Sequence, residues 1–501
     1  MDTLSINVAL FVYVISACGL LIYGMNCYVM IFLFLRHRNT AIERLKKVEK
    51  QFKHLATSPV APGVTTQIAI YNELNVAERI IRAACAMDYP QGLHEIQVLD
   101  DSTDETQELV DRVVAELNAE GHDISVLRRA RRVGFKAGAL ANGFFRSKGD
   151  LLAVFDADFI PPSDFLLRTV PFFIADSKLG LVQARWGHLN YDHSLLTQAQ
   201  SIGIDGHFMV EQSARNFSGL FMNFNGTAGI WRKEAISVSG GWQWDTLTED
   251  MDLSYRVQLS GWHTQYLPDL VVPAEIPENV NAFKSQQFRW AKGSIQTAIK
   301  LLPQIFKSSA SLFQKVEAFF HMTHYLVHPL MLLLALLALP VLQLTKVNIS
   351  GVIFGIVALG LIFSMMAPNL LYMISQKAAY PDWKQRVLRL PVLTIVGVGI
   401  ALSNSRAVLE AMLSIQSDFV RTPKQGDKVL KHYTVKLSWL AGFEIILGVY
   451  CTISFFFYLH GGKYLIGPFL GIYAAGFFFI GLLTLYQDLK LGQKIGKIKY
   501  P

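Results

Sequence analysis

Cysteine is scarce in this chain of 501 residues: there are four, Cys18, Cys27, Cys85 and Cys451, and none stands in a CxxC or Cys/His spacing. A zinc site and a disulfide framework are therefore not readable. Charge is scarce as well, at 17% of residues against 51% hydrophobic, and it concentrates between about residues 37 and 300. One ordinary soluble core does not have that composition or that length. No internal repeat, low-complexity tract or flexible linker breaks the chain. The net charge is +7, yet it comes with no basic stripe or binding module, and the basic residues sit beside apolar runs, as where loops meet anionic lipid. Membrane lipid, and no nucleic acid, is the expected partner.

The long apolar runs come next. A hydrocarbon layer about 30 Å thick needs roughly 20 helical residues, and five stretches reach that length, at about 6–35, 318–345, 350–376, 435–460 and 464–488. The first, from Ile6 to Leu35, is too long for a signal-peptide core and lacks a basic start, so it reads as a retained anchor. Basic residues follow it (Arg36, Arg38, Arg44, Lys46, Lys47) and fill the tail (Lys490, Lys494, Lys497, Lys499), which places both segments, and everything from 36 to 317, on the cytosolic side. Segment 388–414 is apolar at first but then carries Asn404, Ser405, Arg406 and Glu410. It reads as a helix at the cytosolic interface, a sixth span being the alternative.

The expected organisation is a membrane helix at 1–36, a basic connector at 37–60, a catalytic domain at 61–275 and interfacial helices at 276–317. A membrane hairpin at 318–376, a cytosolic segment at 377–434, a second hairpin at 435–488 and a basic tail at 489–501 complete it. Within the polar part, β-rich runs alternate with helical patterns. TQIAIY precedes a helix from Asn75, IQVLD one from Asp104, ISVLRR one from Phe135, and LLAVFD closes the series. Such alternation predicts a parallel sheet with crossover helices, whose ligands sit beyond the carboxyl ends of the strands.

Acidic residues stand at those ends. The first strand runs into Tyr71, Asn72 and Glu73, the second into Asp100, Asp101 and Asp104. Carboxylates there can hydrogen-bond a base or ribose, while Asp104 also suits a helix cap. The fourth strand ends in Asp156, Ala157, Asp158, a DxD that could share one hard divalent ion with a diphosphate. Lys136, in RVGFKAGAL, is a phosphate-binding lysine or a solvated turn lysine. Thr248, Glu249 and Asp250 open a helical pattern. Asp250 is the candidate general base for a transfer that needs one proton acceptor, and Asp252 a candidate helix cap. In NAFKSQQFRWAKGS, Gln286 and Arg289 share a helix face next to Trp290. An arginine can neutralise a diphosphate and an indole can support a sugar ring, although an interfacial helix with an aromatic anchor has the same residues.

Taken in order, DD at 100–101, DAD at 156–158, TED at 248–250 and QQFRW at 286–290 resemble the processive family-2 glycosyltransferases, the group of cellulose, chitin and hyaluronan synthases. The wording VLDDSTDET, GFKAGAL, VQARWGHLN and AFKSQQFRWAKG is most similar to the plant cellulose synthase-like A and C branches, mannan and glucan synthases, and their bacterial relatives. The resemblance implies an α/β GT-A-type (Rossmann-like) cytosolic domain joined to an α-helical membrane bundle of about five spans plus interfacial helices. It implies nucleotide-sugar contacts from Asp100, Asp101, Asp156, Gln286 and Arg289, to which the strand-end and turn positions add Tyr71, Glu73 and Lys136. It assigns Mg²⁺ or Mn²⁺ to Asp156 and Asp158, and catalysis to Thr248, Glu249 and, as base, Asp250. It gives the acceptor to Asn225, Gly226, Thr227 and Trp290. Phe419, Thr422 and Lys424 fit a gating loop FxVTxK, with Arg421 in place of its valine.

The activity so implied is inverting, processive elongation and secretion of a β-linked polysaccharide by a multi-pass protein of a bacterial inner membrane or a Golgi or plasma membrane. UDP-glucose and a β-1,4-glucan are the leading expectation. The alternatives are a β-mannan or glucomannan from GDP-mannose, and transfer to a lipid acceptor.

Overall fold

The computed structural model describes residues 3–344, 351–416, 426 and 439–498. Its polar part is built on one seven-stranded sheet: β1 Val64–Ile70, β2 His94–Asp100, β3 Ile124–Leu127, β4 Leu151–Asp156, β5 Leu179–His188, β6 Gly229–Arg232 and β7 His263–Ala274, in the order β3-β2-β1-β4-β6-β5-β7. The first four strands pair in parallel, as the alternation predicts, with helices Ala77–Cys85, Thr106–Ala119 and Phe135–Arg146 as crossovers. β6 then runs antiparallel to both β4 and β5, and β7 pairs in parallel with β5. Six strands consequently point their carboxyl ends at one edge, and β6 brings its amino end there too.

Period-two alternation buries both faces of the sheet. In β4, Leu151, Ala153 and Phe155 join the apolar cluster on one face, with Ile68, Ile80, Val98 and Val110. Leu152 and Val154 join the other, with Leu140, Trp231, Trp242 and Trp262. At roughly 1.5–3 kcal/mol for each fully buried Val, Leu, Ile or Phe, this packing fixes where the strands end.

Among the described residues five helices are long and apolar enough to cross a membrane: Val8–Ala56, Leu312–Leu342, Leu359–Ala379, Leu440–His460 and Gly467–Lys490. Segment 388–414 is two helices rather than the one expected. Helices Leu390–Gly399 and Ala401–Met412 meet at a 47° bend, so the number of spans is five, or six if the bent pair crosses as one. The bent pair packs on the last helix where Gly399 meets Gly476, leaving no room for a Cβ between them. The basic stretch after the first run is helical too. One helix runs unbroken from Thr3 to Ala56, and its far end reaches the sheet domain, where Leu45 and Ala56 are buried in the first apolar cluster and Glu49 pairs with Arg168 at 3.4 Å.

Helix Val280–Lys307 joins the two parts. Its start is capped by Asn279, whose side chain accepts from the amides of Asn281 and Ala282. Lys284 pairs with Glu444 of the fourth membrane helix at 2.7 Å, with side chains 5% and 0% exposed. Lys292 pairs with Glu410 of the bent pair at 2.9 Å, and Asn281 donates to Asp488 of the last helix.

Candidate functional site

One pocket opens at the edge where the strands converge. Tyr71 and Glu73 after β1, Asp101 after β2, Asp156 and Asp158 at the end of β4, and Asn225 and Gly226 before β6 all line it, with Lys136, Thr248, Glu249, Asp250, Gln286, Arg289 and Trp290. Residues spread over more than two hundred positions meet there because every strand but one delivers its last residue to the same rim.

The β2 end divides its two aspartates. Successive side chains on a strand point to opposite faces, so only one of the pair can face the ligand. Asp101 does, held by the Arg129 guanidinium, with Arg132 4.0 Å away. Asp100 does not line the pocket: its fully buried carboxylate accepts from Arg128 Nε at 2.9 Å and from the Ser102 amide at 3.0 Å, which secures the turn after the strand. Asp104 accepts from the Thr106 amide at the start of its helix, which is the capping reading. Arg132, which sequence reasoning passed over, lies on the Tyr71 ring, 3.4 Å from its centroid, and also lines the pocket.

At the centre, Lys136 Nζ donates to Asp156 and to the Gly226 carbonyl at 2.7 Å. The Asp156 amide donates to Thr227 Oγ1 at 2.9 Å, so Thr227, fully buried, braces the DxD rather than lining the pocket. Asn225 donates to His207 Nε2 at 3.0 Å, and His207 Nδ1 donates to Glu211 at 3.0 Å. His207 and Glu211 sit on a π-helical stretch, Gly206–Gln212.

Thr248 sits at the N-cap of helix Glu249–Leu259 without a side-chain capping bond, and Asp250 Oδ1 accepts from the Met251 amide at 2.8 Å. Asp252 is not a cap either. It is fully buried and paired with Arg256 and Lys300 at 2.6 and 2.8 Å. Gly293 of helix Val280–Lys307 faces Thr248, where a Cβ would lie 2.6 Å from its methyl, and Thr297 bonds Thr248 at 3.1 Å. This close approach holds the Gln286–Trp290 segment beside Asp250.

Burial, with Glu249 next to it, raises the Asp250 carboxyl to about 7. Burial raises Glu249 as well, against the attraction of Lys136. Burial opposes the charge of Lys136, but Asp156, Glu249 and Asp250 together hold it above the ordinary lysine range. Burial also lowers Arg289 from its ordinary value, against the same carboxylates. The site therefore sets cations around a carboxylate that titrates near neutrality, a suitable state for a general base.

Gly226 has φ +83°, and a Cβ there would sit 3.0 Å from Asp250 Oδ2 and 3.5 Å from Lys136 Nζ. Gly226→Ala combines a strained backbone with displacement of both groups. We expect catalysis to fall on the order of 100-fold while nucleotide binding, measured by titration, persists. Activity within a factor of about three would mean that Asp250 is not held by this contact.

Among the described residues no group of three or more His, Cys, Asp or Glu side chains gathers to hold a metal alone. Asp156 and Asp158 could supply one or two carboxylate oxygens, leaving the rest of the shell to diphosphate oxygens and water, and that donor set suits a hard divalent ion. Phe419, Thr422 and Lys424 fall outside the described residues. Trp186 and His188, inside the stretch VQARWGHLN but given no role there, also line the pocket.

Residues 62–293 match the family described as Glycosyltransferase like family 2. Probable glucomannan 4-beta-mannosyltransferase 2 of Oryza sativa subsp. japonica is 34% identical over 451 residues, covering 84% of this chain and 75% of the relative. Glucomannan 4-beta-mannosyltransferase 7 of Arabidopsis thaliana is 43% identical over 275 residues, covering 53% of this chain and 50% of that protein. Among solved structures, a mannosyltransferase from Pyrobaculum calidifontis in complex with GDP-Man and Mn²⁺ matches with a TM-score of 0.48 at 18% identity, over 78% of this chain and 99% of that one.

Proposed function

The chain belongs to glycosyltransferase family 2, a nucleotide-sugar-dependent hexosyltransferase with a GT-A catalytic fold and five helices able to cross a membrane, and from that premise we propose that it builds a β-1,4-linked mannan or glucomannan from GDP-mannose. The observation that carries the reading is the convergence of Asp250, Lys136, Asp156 and the Gln286–Trp290 segment on one pocket. The names of the plant relatives favour GDP-mannose over the UDP-glucose expected from the motifs, so the mannan alternative replaces the glucan as the leading reading.

In this mechanism the nucleoside lies toward Tyr71, Arg132 and Asp101, and the diphosphate between Lys136, Asp156 and Arg289. Asp250 takes the proton of the acceptor hydroxyl as that oxygen bonds to the anomeric carbon and the carbon–diphosphate bond breaks, the pair leaving with the GDP oxygen. Attack from the face opposite the leaving group inverts an α-linked donor to a β-linked product. A divalent ion held by Asp156 and Asp158 would offset charge on the departing diphosphate. Lys136 and Arg289 do the same from the protein side. Trp290 offers the acceptor ring a flat support. Catalysis on the cytosolic side, processive growth and passage of the polymer through the membrane helices belong to the same proposal.

The test is incorporation of labelled sugar from GDP-mannose and from UDP-glucose by the full chain in lipid nanodiscs with Mn²⁺ or Mg²⁺, the product being sized and digested with β-mannanase or cellulase. A long mannanase-sensitive polymer supports the proposal. A cellulase-sensitive one returns the donor to UDP-glucose, and a short organic-extractable product replaces the polymer by a lipid acceptor.

The raised carboxyl of Asp250 gives a pH dependence. The base is protonated, and idle, below about 7 and ionised above it, so kcat/KM should climb with pH through that region. The limb belongs to the Glu249–Asp250 pair. A profile flat from pH 5 to 8 would remove a neutral-range carboxylate from the rate.

A further inference from the structure

His188 is the last residue of β5, lines the pocket, and has a side chain only 3% exposed. Its Nε2 meets Asp205 Oδ1 at 2.9 Å. Asp205, fully buried, also accepts from Gln376 Nε2 at 3.0 Å and Tyr380 OH at 3.1 Å, both at the end of the third membrane helix. With three donors converging on it, Asp205 acts as the acceptor in each bond, which places a proton on His188 Nε2, so that in the neutral ring Nδ1 is the lone-pair acceptor. Among the described contacts Nδ1 has no partner.

The position says what Nδ1 could meet. His188 pairs with Ala274 of β7, Ala274 bridges on to Phe159, the residue after the DxD, and Phe159 packs edge-on against Trp186, so His188 stands beside the segment that leaves the DxD. The nucleotide side of the pocket is lined by charged groups, Asp101, Arg132 and Lys136. Around His188 the lining is Trp186, Ile204 and Ile276, with one carboxylate, Glu275, which Arg79 neutralises at 2.7 Å. Flat apolar surface with a few placed polar groups and no unpaired cation is sugar-recognition chemistry rather than phosphate chemistry.

We propose that His188, oriented by Asp205, determines acceptor specificity by accepting a hydrogen bond through Nδ1 from one hydroxyl of the acceptor sugar. This inference rests on the glycosyltransferase reading above. It makes Asp205 a positioning residue, and it ties acceptor recognition to the membrane helix that supplies Gln376 and Tyr380.

The experiment uses the full chain in nanodiscs with β-1,4-manno-oligosaccharides and their monodeoxy analogues, following both transfer and calorimetric binding. In the unaltered protein one deoxy analogue should lose on the order of 10- to 100-fold in kcat/KM or affinity. His188→Phe, which keeps the ring but not the acceptor nitrogen, should erase that penalty while leaving those of the other positions, and should raise the acceptor KM about 10-fold with the donor KM within twofold. Asp205→Asn, which can present an amide N–H to Nε2 and so move the proton to Nδ1, should erase the same penalty with His188 still in place. It also serves if the Phe variant does not fold. An unchanged pattern of penalties in both variants, or a penalty that moves with deoxy donors instead, overturns the inference. Failure of the unaltered protein to turn over any donor sinks the glycosyltransferase reading, while the binding titration still decides on His188.

Discussion

Asp250→Asn abolishes transfer, lowering kcat on the order of 10²- to 10⁴-fold, while nucleotide affinity stays within about twofold. The loss is that of one general base. The amide matches the carboxylate in shape and can still accept from the Met251 amide, as Asp250 does at 2.8 Å, but it has no lone pair basic enough for the acceptor's proton. Lys136, Asp156 and Arg289, which the proposed mechanism sets at the diphosphate, are untouched. Removing the charge at 250 also relieves the repulsion that Glu249 feels. Because Glu249 stands next in the chain and is itself raised by burial, the double variant distinguishes a displaced base from a lost one: residual activity that disappears only with Glu249→Gln would mark Glu249 as a stand-in. Turnover by Asp250→Asn within tenfold of the unaltered protein would take Asp250 out of the role.

Lys284→Met unfolds the junction between the catalytic domain and the membrane helices, at a cost of about 3–5 kcal/mol. Glu444 is fully buried in the fourth membrane helix, and Lys284 neutralises it at 2.7 Å. Without the lysine a carboxylate would remain in an apolar setting with no counter-charge. Attraction between the two ions roughly offsets their joint desolvation, so removing both costs far less than removing one. Thermal unfolding in nanodiscs should therefore fall steeply for Lys284→Met and recover for Lys284→Met combined with Glu444→Leu. Activity reports the same event from the other side, because Gln286, Arg289 and Trp290 lie between Lys284, anchored to the fourth membrane helix, and Lys292, anchored to the bent pair. Equal stability of the single and double variants would mean that the pair does not hold the helix.

The nucleotide half of the fold was legible because its signals are local. Each strand–helix step from Thr66 to Asp156 carries an apolar run and a turn within some thirty residues, three of the four strands run into an acidic end, and the helices Thr106–Ala119 and Phe135–Arg146 begin within two residues of where the pattern puts them. The DD at 100–101 was legible as a pair but not as a division of labour, although strand alternation alone requires that the two face opposite ways. The helical continuation of the first span was expected only as a basic connector at 37–60, although no glycine or proline occurs between Gly24 and Pro59 and nothing in that stretch would stop a helix. His188 was beyond reach. Its meaning comes from Asp205, seventeen residues on, and from Gln376 and Tyr380 in another part of the chain, contacts that exist only once the sheet edge has met a membrane helix. Asp252 looked like a cap because its position at a helix start is local, whereas Lys300, its partner, is not.

The unbroken helix Thr3–Ala56 has 54 residues, about 80 Å at 1.5 Å per residue, while the hydrocarbon layer accounts for only about 30 Å. The span and the strut that grips the sheet domain are thus one lever with its fulcrum in the bilayer. Spans adapt to a thinner or thicker bilayer by tilting, and a tilt of about 10° sweeps the far end of a roughly 50 Å arm through some 9 Å. Lipid chain length is then felt at Glu49 and Arg168 as a sideways push on the catalytic domain.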